Sequence, residues 1–251
     1  GTDYEISDSD GDGLSDDYEN SIGTDPFDSD TDNDTLPDGV ETGTGIYIDT
    51  LDTGTDPTSN DTDDDGLTDD NEILCRLSFR ASKFCPNPND SDSDNDGLTD
   101  GEEYDGKTVN GTIYYTHPND YDTDDDGLTD GLELGVSYED IWTDIPYNLQ
   151  PCKTKTGGTL SNCLETWQPD EEPESTTDPF KFDTDRDGIG DGDEDLNHNG
   201  KLDLPDIEDE LNPCNYETDP TLIDTDGGGA NDFEECEIDS TNPRDSEDDI
   251  G

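Results

Sequence analysis

Residues 122–133 read DTDDDGLTDGLE, placing five aspartates and one glutamate in twelve positions. Carboxylates that close can divide acid and base roles when their environments push their pKa values apart, or they can surround a cation. The spacing favours the cation. A tight loop with Gly at position 6 can turn side chains 1, 3 and 5 and the carbonyl of position 7 inward, while a carboxylate at 12 closes the shell from the start of a short helix. Six or seven oxygens at about 2.3–2.6 Å suit Ca²⁺, whereas Mg²⁺ resists giving up its waters to such a cage. The chain's two histidines, His117 and His198, stand beside no nucleophile. No enzyme is expected.

The pattern recurs in register, with loops starting at 8, 30, 61, 92, 122, 183, 195 and 224. Position 1 is Asp8, Asp30, Asp61, Asp92, Asp122, Asp183, Asp195 and Asp224, and position 3 is Asp10, Asp32, Asp63, Asp94, Asp124, Asp185, Asn197 and Asp226. Position 5 is Asp12, Asp34, Asp65, Asp96, Asp126, Asp187 and Asn199, but Gly228 in the last loop. The position-7 carbonyls belong to Leu14, Leu36, Leu67, Leu98, Leu128, Ile189 and Lys201. Position 9 is Asp16, Asp38, Asp69, Asp100, Asp130, Asp191, Asp203 and Asp232; position 12 is Glu19, Glu41, Glu72, Glu103, Glu133, Glu194, Asp206 and Glu235. Thr35 replaces Gly at position 6 of the second loop, and the absence of a carboxylate at Gly228 predicts a weakened last site.

A proline stands four residues before position 1 in six loops, at Pro26, Pro57, Pro88, Pro118, Pro179 and Pro220. With TDP at Thr24, Thr55, Thr177 and Thr218, these segments read as turns that reset the chain for the next loop. From position 9 onward each loop supports one or two helical turns before Gly, Pro or Thr ends them. A dominant step of about 30 residues marks a repeat array rather than one globule.

Composition agrees. Of 251 residues 74 are acidic and 10 basic, a net charge of −64, and only 24% are hydrophobic, too few for conventional cores. The charge excludes nucleic acid and anionic membrane surfaces as partners. No apolar run approaches the length of a membrane span, so direct insertion is not expected. Six cysteines fall in three near pairs, Cys75 with Cys85, Cys152 with Cys163 and Cys214 with Cys236. An even count in a core-poor chain predicts disulfides and an oxidising, extracellular or cell-surface compartment.

The recurrent DxDxDGLxDxxE, the TDP spacers and the cysteines between loops resemble thrombospondin type 3 repeats, in the form common in microbial surface proteins. The resemblance covers most of the chain outside residues 136–177. It implies an extracellular calcium array with little regular secondary structure, wrapped around a line of ions. The loop at Asp195 is closer to a dockerin-type loop, with its apolar residue, Leu202, at position 8.

The expected architecture is therefore mostly irregular: an elongated, calcium-stabilised, disulfide-supported rod of EF-hand-like loops with very short helices and no conventional hydrophobic core. Residues 1–135 form tandem repeats, 136–177 an aromatic insertion with Trp142, Trp167 and the Cys152/Cys163 pair, and 178–251 further repeats. Glu247 and Asp249 read as positions 1 and 3 of a ninth loop cut short, so the chain is expected to be an excised piece or to associate head to tail with copies of itself. Arg76, Arg80 and Lys83 form the one cationic cluster, and Asn110 heads the sequon best placed for a glycan. Three functions are compatible with these features: a rigid stalk, spacer or filament subunit; an adhesion module using the insertion to bind a protein or glycan; or a disordered acidic calcium buffer.

Overall fold

The computed structural model describes residues 7–74, 85–137, 171–172, 175–203 and 217–247. It divides into two compact units, Gly1–Ser93 with Thr99–Asp105, and Asp94–Leu98 with Gly106–Gly251. Among the described residues regular structure is sparse. The α-helices are α1 (Asp16–Ile22), α2 (Asp69–Ile73), α3 (Asp100–Asp105), α4 (Asp130–Glu133) and α5 (Asp191–Glu194). The second loop makes a 3-10 turn, Asp38–Val40, and the last a π-helical turn, Glu234–Asp239. None of these is long and apolar enough to cross a membrane.

Each helix begins at position 9, for a local reason. The residue before it holds extended backbone at Ser15, Thr68, Thr129 and Gly190 and, in three loops, caps the helix with its side chain: Ser15 accepts from Tyr18 N–H, Thr99 from Glu102 N–H and Thr129 from Leu132 N–H. Acidic side chains crowd the first turn, where the helix dipole favours them. Pro37 occupies the cap position of the second loop and offers no side-chain bond, and only the 3-10 turn forms after it.

Within a loop the backbone enters the left-handed region twice. Position 6 does so with glycine in most loops, and Thr35 is held there at φ +86°, an uncommon conformation for a β-branched residue. Position 4 does so as well, at Asn33, Asp64, Asn95, Asp125, Arg186 and His198. Asn and Asp tolerate that region better than other side chains.

Between loops the proline segments form the expected turns. The residue before each proline accepts from the N–H three residues on: Asp28 to Asp25, Ser59 to Asp56, Asp90 to Asn87, Lys181 to Asp178 and Leu222 to Asp219, all at 2.8–2.9 Å.

The second unit contains one hairpin, β1 (Lys107–Val109) paired antiparallel with β2 (Thr112–Tyr114). Asn110 and Gly111 both have positive φ, as a two-residue hairpin turn requires. Val109 and Tyr114 pack against Leu98, Leu134 and Val136, a small apolar cluster in the same unit. The position-7 leucines Leu36, Leu67, Leu98 and Leu128 are buried. Apolar burial is therefore spread thinly along the repeats.

The cysteine expectation needs correction. Cys236 carries a thiol, so it forms no disulfide with Cys214. No complete cystine lies within the described residues, since the other half of the Cys85 disulfide falls outside them. The Cys152/Cys163 pair, both tryptophans and the Arg76–Lys83 cluster also lie outside them.

Candidate metal centre

Except at Asp195, whose position-9 N–H goes to Glu217 instead, the loops are closed by the same few hydrogen bonds. The position-9 N–H donates to the carbonyl just before position 1: Asp69 to Asn60 at 3.2 Å, Asp130 to Tyr121 at 3.0 Å and Asp191 to Phe182 at 3.0 Å. The position-1 carboxylate accepts the position-6 N–H, as Asp61 does from Gly66 at 3.1 Å and Asp122 from Gly127 at 3.0 Å. Oδ1 of position 5 accepts the position-7 N–H at 2.7–2.8 Å in Asp12, Asp34, Asp65, Asp96, Asp126 and Asp187.

The position-9 carboxylate is clamped by the residue at position 2, which donates both N–H and hydroxyl. Thr31 does so to Asp38, Thr62 to Asp69, Ser93 to Asp100, Thr123 to Asp130 and Thr225 to Asp232. The same hydroxyl accepts the N–H of the spacer residue before proline: Asp25 to Thr31, Asp56 to Thr62, Asn87 to Ser93, Asp178 to Thr184 and Asp219 to Thr225. The spacer threonine in turn holds the position-12 glutamate of an earlier loop. Thr55 donates to Glu41 at 3.0 Å, Thr177 to Glu133 at 2.9 Å and Thr218 to Glu194 at 2.8 Å.

These bonds aim carboxylates inward and leave oxygens over. Glu19 and Glu72 are fully buried with neither carboxylate oxygen hydrogen-bonded, and Glu41, Glu133 and Glu194 each keep one buried oxygen without a partner. Position-5 oxygens of Asp12, Asp34 and Asp126 are in the same state. In two kinds of group, one oxygen from each residue lies within 4.8 Å of the others. The first kind is internal to a loop: Asp8, Asp10 and Asp12; Asp30, Asp32 and Asp34; Asp61, Asp63 and Asp65. The second kind joins positions 5 and 12 of one loop to position 9 of the next: Asp34, Glu41 and Asp69; Asp65, Glu72 and Asp100. Asp34 and Asp65 belong to both kinds.

Electrostatics disfavours the bare ionised state of these groups. Burial, then repulsion from Asp34 and Asp32, pushes Glu41 up to about 9. Burial, then Asp126, pushes Glu133 to about 10, and burial takes Glu194 to about 9 against the opposing Thr218 hydroxyl. Asp100 rises to about 9 and Asp34 to about 7, with burial again the largest cause. Glu72 is raised by burial and by Asp63 and Asp65. Buried carboxylates that repel one another ionise together only around a cation. An all-oxygen donor set of this charge fits a hard divalent ion of the calcium class.

Successive loops also meet through their backbones. The backbone at position 10 lies so close to the position-5 carbonyl of the preceding loop that a Cβ there would meet the oxygen at 2.1–2.3 Å. Gly39 faces Asp12, Gly101 faces Asp65, Gly131 faces Asp96 and Gly192 faces Asp126. The glycine N–H also binds the position-5 side chain, Gly101 to Asp65 at 2.8 Å and Gly131 to Asp96 at 3.1 Å. The third loop departs from this. Its position 10 is Asp70, whose carboxylate accepts the Thr35 hydroxyl at 3.0 Å, so the two exceptions to the repeat meet each other.

The predicted ligands of the first three loops thus converge within each loop, and positions 9 and 12 serve the junctions between loops. In the last loop Asp232 is clamped by Thr225 and Glu235 is fully buried, while Gly228 contributes only an N–H to Asp226. Asp206 and Asp249 lie outside the described residues. Sequence reasoning missed three kinds of residue: the position-2 Ser or Thr, the position-10 Gly and the spacer Thr. All three repeat in register, so their periodicity is present in the sequence. The stronger carboxylate signal overshadows it.

Residues 8–29 and 92–108 match the family model described as the bacterial TSP3 repeat, the family whose pattern the sequence resembles. No curated protein and no solved structure gives a significant match to the chain.

Proposed function

We propose that this chain, with its bacterial TSP3 repeat segments, is an extracellular calcium-binding structural protein. In this reading it is a rigid stalk, spacer or filament subunit, with a line of ions replacing a hydrophobic core. The observation that carries it is the sharing of Asp65 between Asp61, Asp63 and Asp65 within one loop and Glu72 and Asp100 across the junction. One ion in each group would make neighbouring repeats mutually dependent, which is how a nearest-neighbour array resists bending. The carboxylates act as metal ligands and not as acid–base catalysts, since those with raised pKa values stand among other carboxylates that a cation would engage.

Counting bound Ca²⁺ by native mass spectrometry tests this. Asp65→Asn should remove two ions and Asp61→Asn one. Equal losses, or binding too weak to count at millimolar Ca²⁺, would refute the shared line. Scattering in calcium tests the rod: a radius of gyration at or below the roughly 18 Å of a compact chain of this length would exclude it.

A further inference from the structure

The contact that passes from loop to loop omits the one at Asp195. Phe233, at position 10 of the loop from Asp224, donates its N–H to Asp187 of the loop from Asp183 at 3.0 Å. The omitted loop has its own unsatisfied acceptor. Asp195 is 5% exposed; its Oδ2 accepts Gly200 N–H at 2.7 Å, and its Oδ1 is buried with no hydrogen-bond partner.

Close enough to Asp195 to feel its charge is a carboxylate from outside the motif. Glu217 is buried, its Oε2 accepts Asp203 N–H at 2.7 Å, and its Oε1 accepts the Asn197 amide at 2.8 Å. The Asn197 and Asn199 amides also reach Asp203 Oδ2, at 2.9 and 3.1 Å, and Lys201 Nζ lies 3.3 Å from Asp203 Oδ1. Burial, together with Asp195 and Asp203, pushes the Glu217 carboxyl up. Amide and ammonium donors therefore stand where three carboxylates meet. Turning the Asn197 amide about its last torsion would present Oδ1 in place of Nδ2 at almost no steric cost, while Asn199 Oδ1 already accepts Lys201 N–H at 2.9 Å. Arg244 donates to the backbone carbonyls of both Asp203 and Glu217, pinning the two acidic residues side by side.

We propose that the loop at Asp195 is a separate divalent-cation site of the calcium class, with Glu217 as the ligand that closes its shell. It rests on the calcium-binding reading above but not on the shared line of ions. At positions 1, 3 and 5 this loop offers one carboxylate and two amides where the loop from Asp61 offers three carboxylates, so its ion should bind at least tenfold more weakly. Its role would be to tie Asp203 to Glu217.

The test uses the full chain and Ca²⁺ alone, counting ions by native mass spectrometry and following affinity by calorimetry. Glu217→Gln and Asp195→Asn should each lose one ion, the weakest, and the double variant no more than either. Glu237→Gln, in an exposed residue outside every loop, should lose none. Retention of all ions by Glu217→Gln would overturn the proposal, as would a double variant that loses two. So would loss of this ion in Asp206→Asn with Glu217 intact, since the motif's own position 12 would then close the shell. A wild-type chain that binds no calcium fails differently, refuting the calcium-binding reading itself.

Discussion

At the residue scale the strictest demand falls on glycine at position 10. A methyl on Gly131 would lie 2.2 Å from the Asp96 carbonyl oxygen, and that oxygen belongs to backbone that cannot swing aside. Gly131→Ala should therefore destabilise the calcium-loaded chain by about 1–3 kcal/mol through overpacking. Asp17→Ala, at position 10 of the first loop and exposed, should fall within about 0.5 kcal/mol of wild type. Thermal melts in saturating calcium read both. The contrast also explains why residue type at position 10 varies: Gly where the preceding carbonyl crowds it, and Asp70 where a Thr35 hydroxyl meets it instead.

At the element scale the spacer and the loop are coupled through one hydroxyl. Thr62 accepts Asp56 N–H at 2.9 Å and donates to Asp69 Oδ2 at 2.7 Å, so it fixes the proline turn and aims a junction carboxylate together. Val keeps the shape of Thr and deletes both bonds. Thr62→Val should cost about 1–3 kcal/mol, because a buried carboxylate loses a donor, whereas Thr62→Ser should stay near wild type. Calcium titration with protection from proteolysis reports the difference, and equal behaviour of the two variants would show that the hydroxyl carries no energy. The short helices need no intrinsic stability of their own. They begin where position 9 is clamped and end within two turns, at lengths that are marginal in isolation.

At the scale of the whole molecule, charge decides the response to pH and to chelation. Without calcium, Glu133 at about 10, Glu194 at about 9 and Asp34 at about 7 have folded-state values above their ordinary 4.5 and 3.8. Acids shifted in that direction stabilise the fold below their ordinary values, and the contribution disappears as pH rises through the folded ones. The calcium-free chain should accordingly be better ordered at pH 5 than at pH 9. In calcium the order reverses, because the ion competes with these protons and its affinity rises with pH. Circular dichroism and scattering at the two pH values, with calcium and with EGTA, test this. With EGTA at neutral pH the chain should expand, since a net charge of −64 is then uncompensated. Proton release on calcium binding, seen as an enthalpy that changes with the buffer, is the companion signal.

The ligand positions were legible in one dimension because a loop is organised by bonds between near neighbours. Position 6 reaches back to position 1, position 7 to position 5 and position 9 to position 2, all within seven residues. The alternation of carboxylates with a glycine at 6 therefore carries its own geometry, and the proline turns do likewise. Even the hairpin is written locally, as Asn110-Gly111 between β-branched residues, a signal the acidic repeats on either side obscure. What only the tertiary structure decided are meetings of residues far apart in the chain, such as Gly101 with Asp65, 36 positions away, and Phe233 with Asp187, 46 away. Such contacts gave Asp65 its second set of neighbours, left the loop at Asp195 out of the sequence of junctions and placed Glu217 opposite it. The reason is that intervening spacers of unequal length remove any fixed register between distant loops. Which carbonyl lies over which glycine depends on how the loops pack, and close cysteine spacing likewise did not make a disulfide of Cys236.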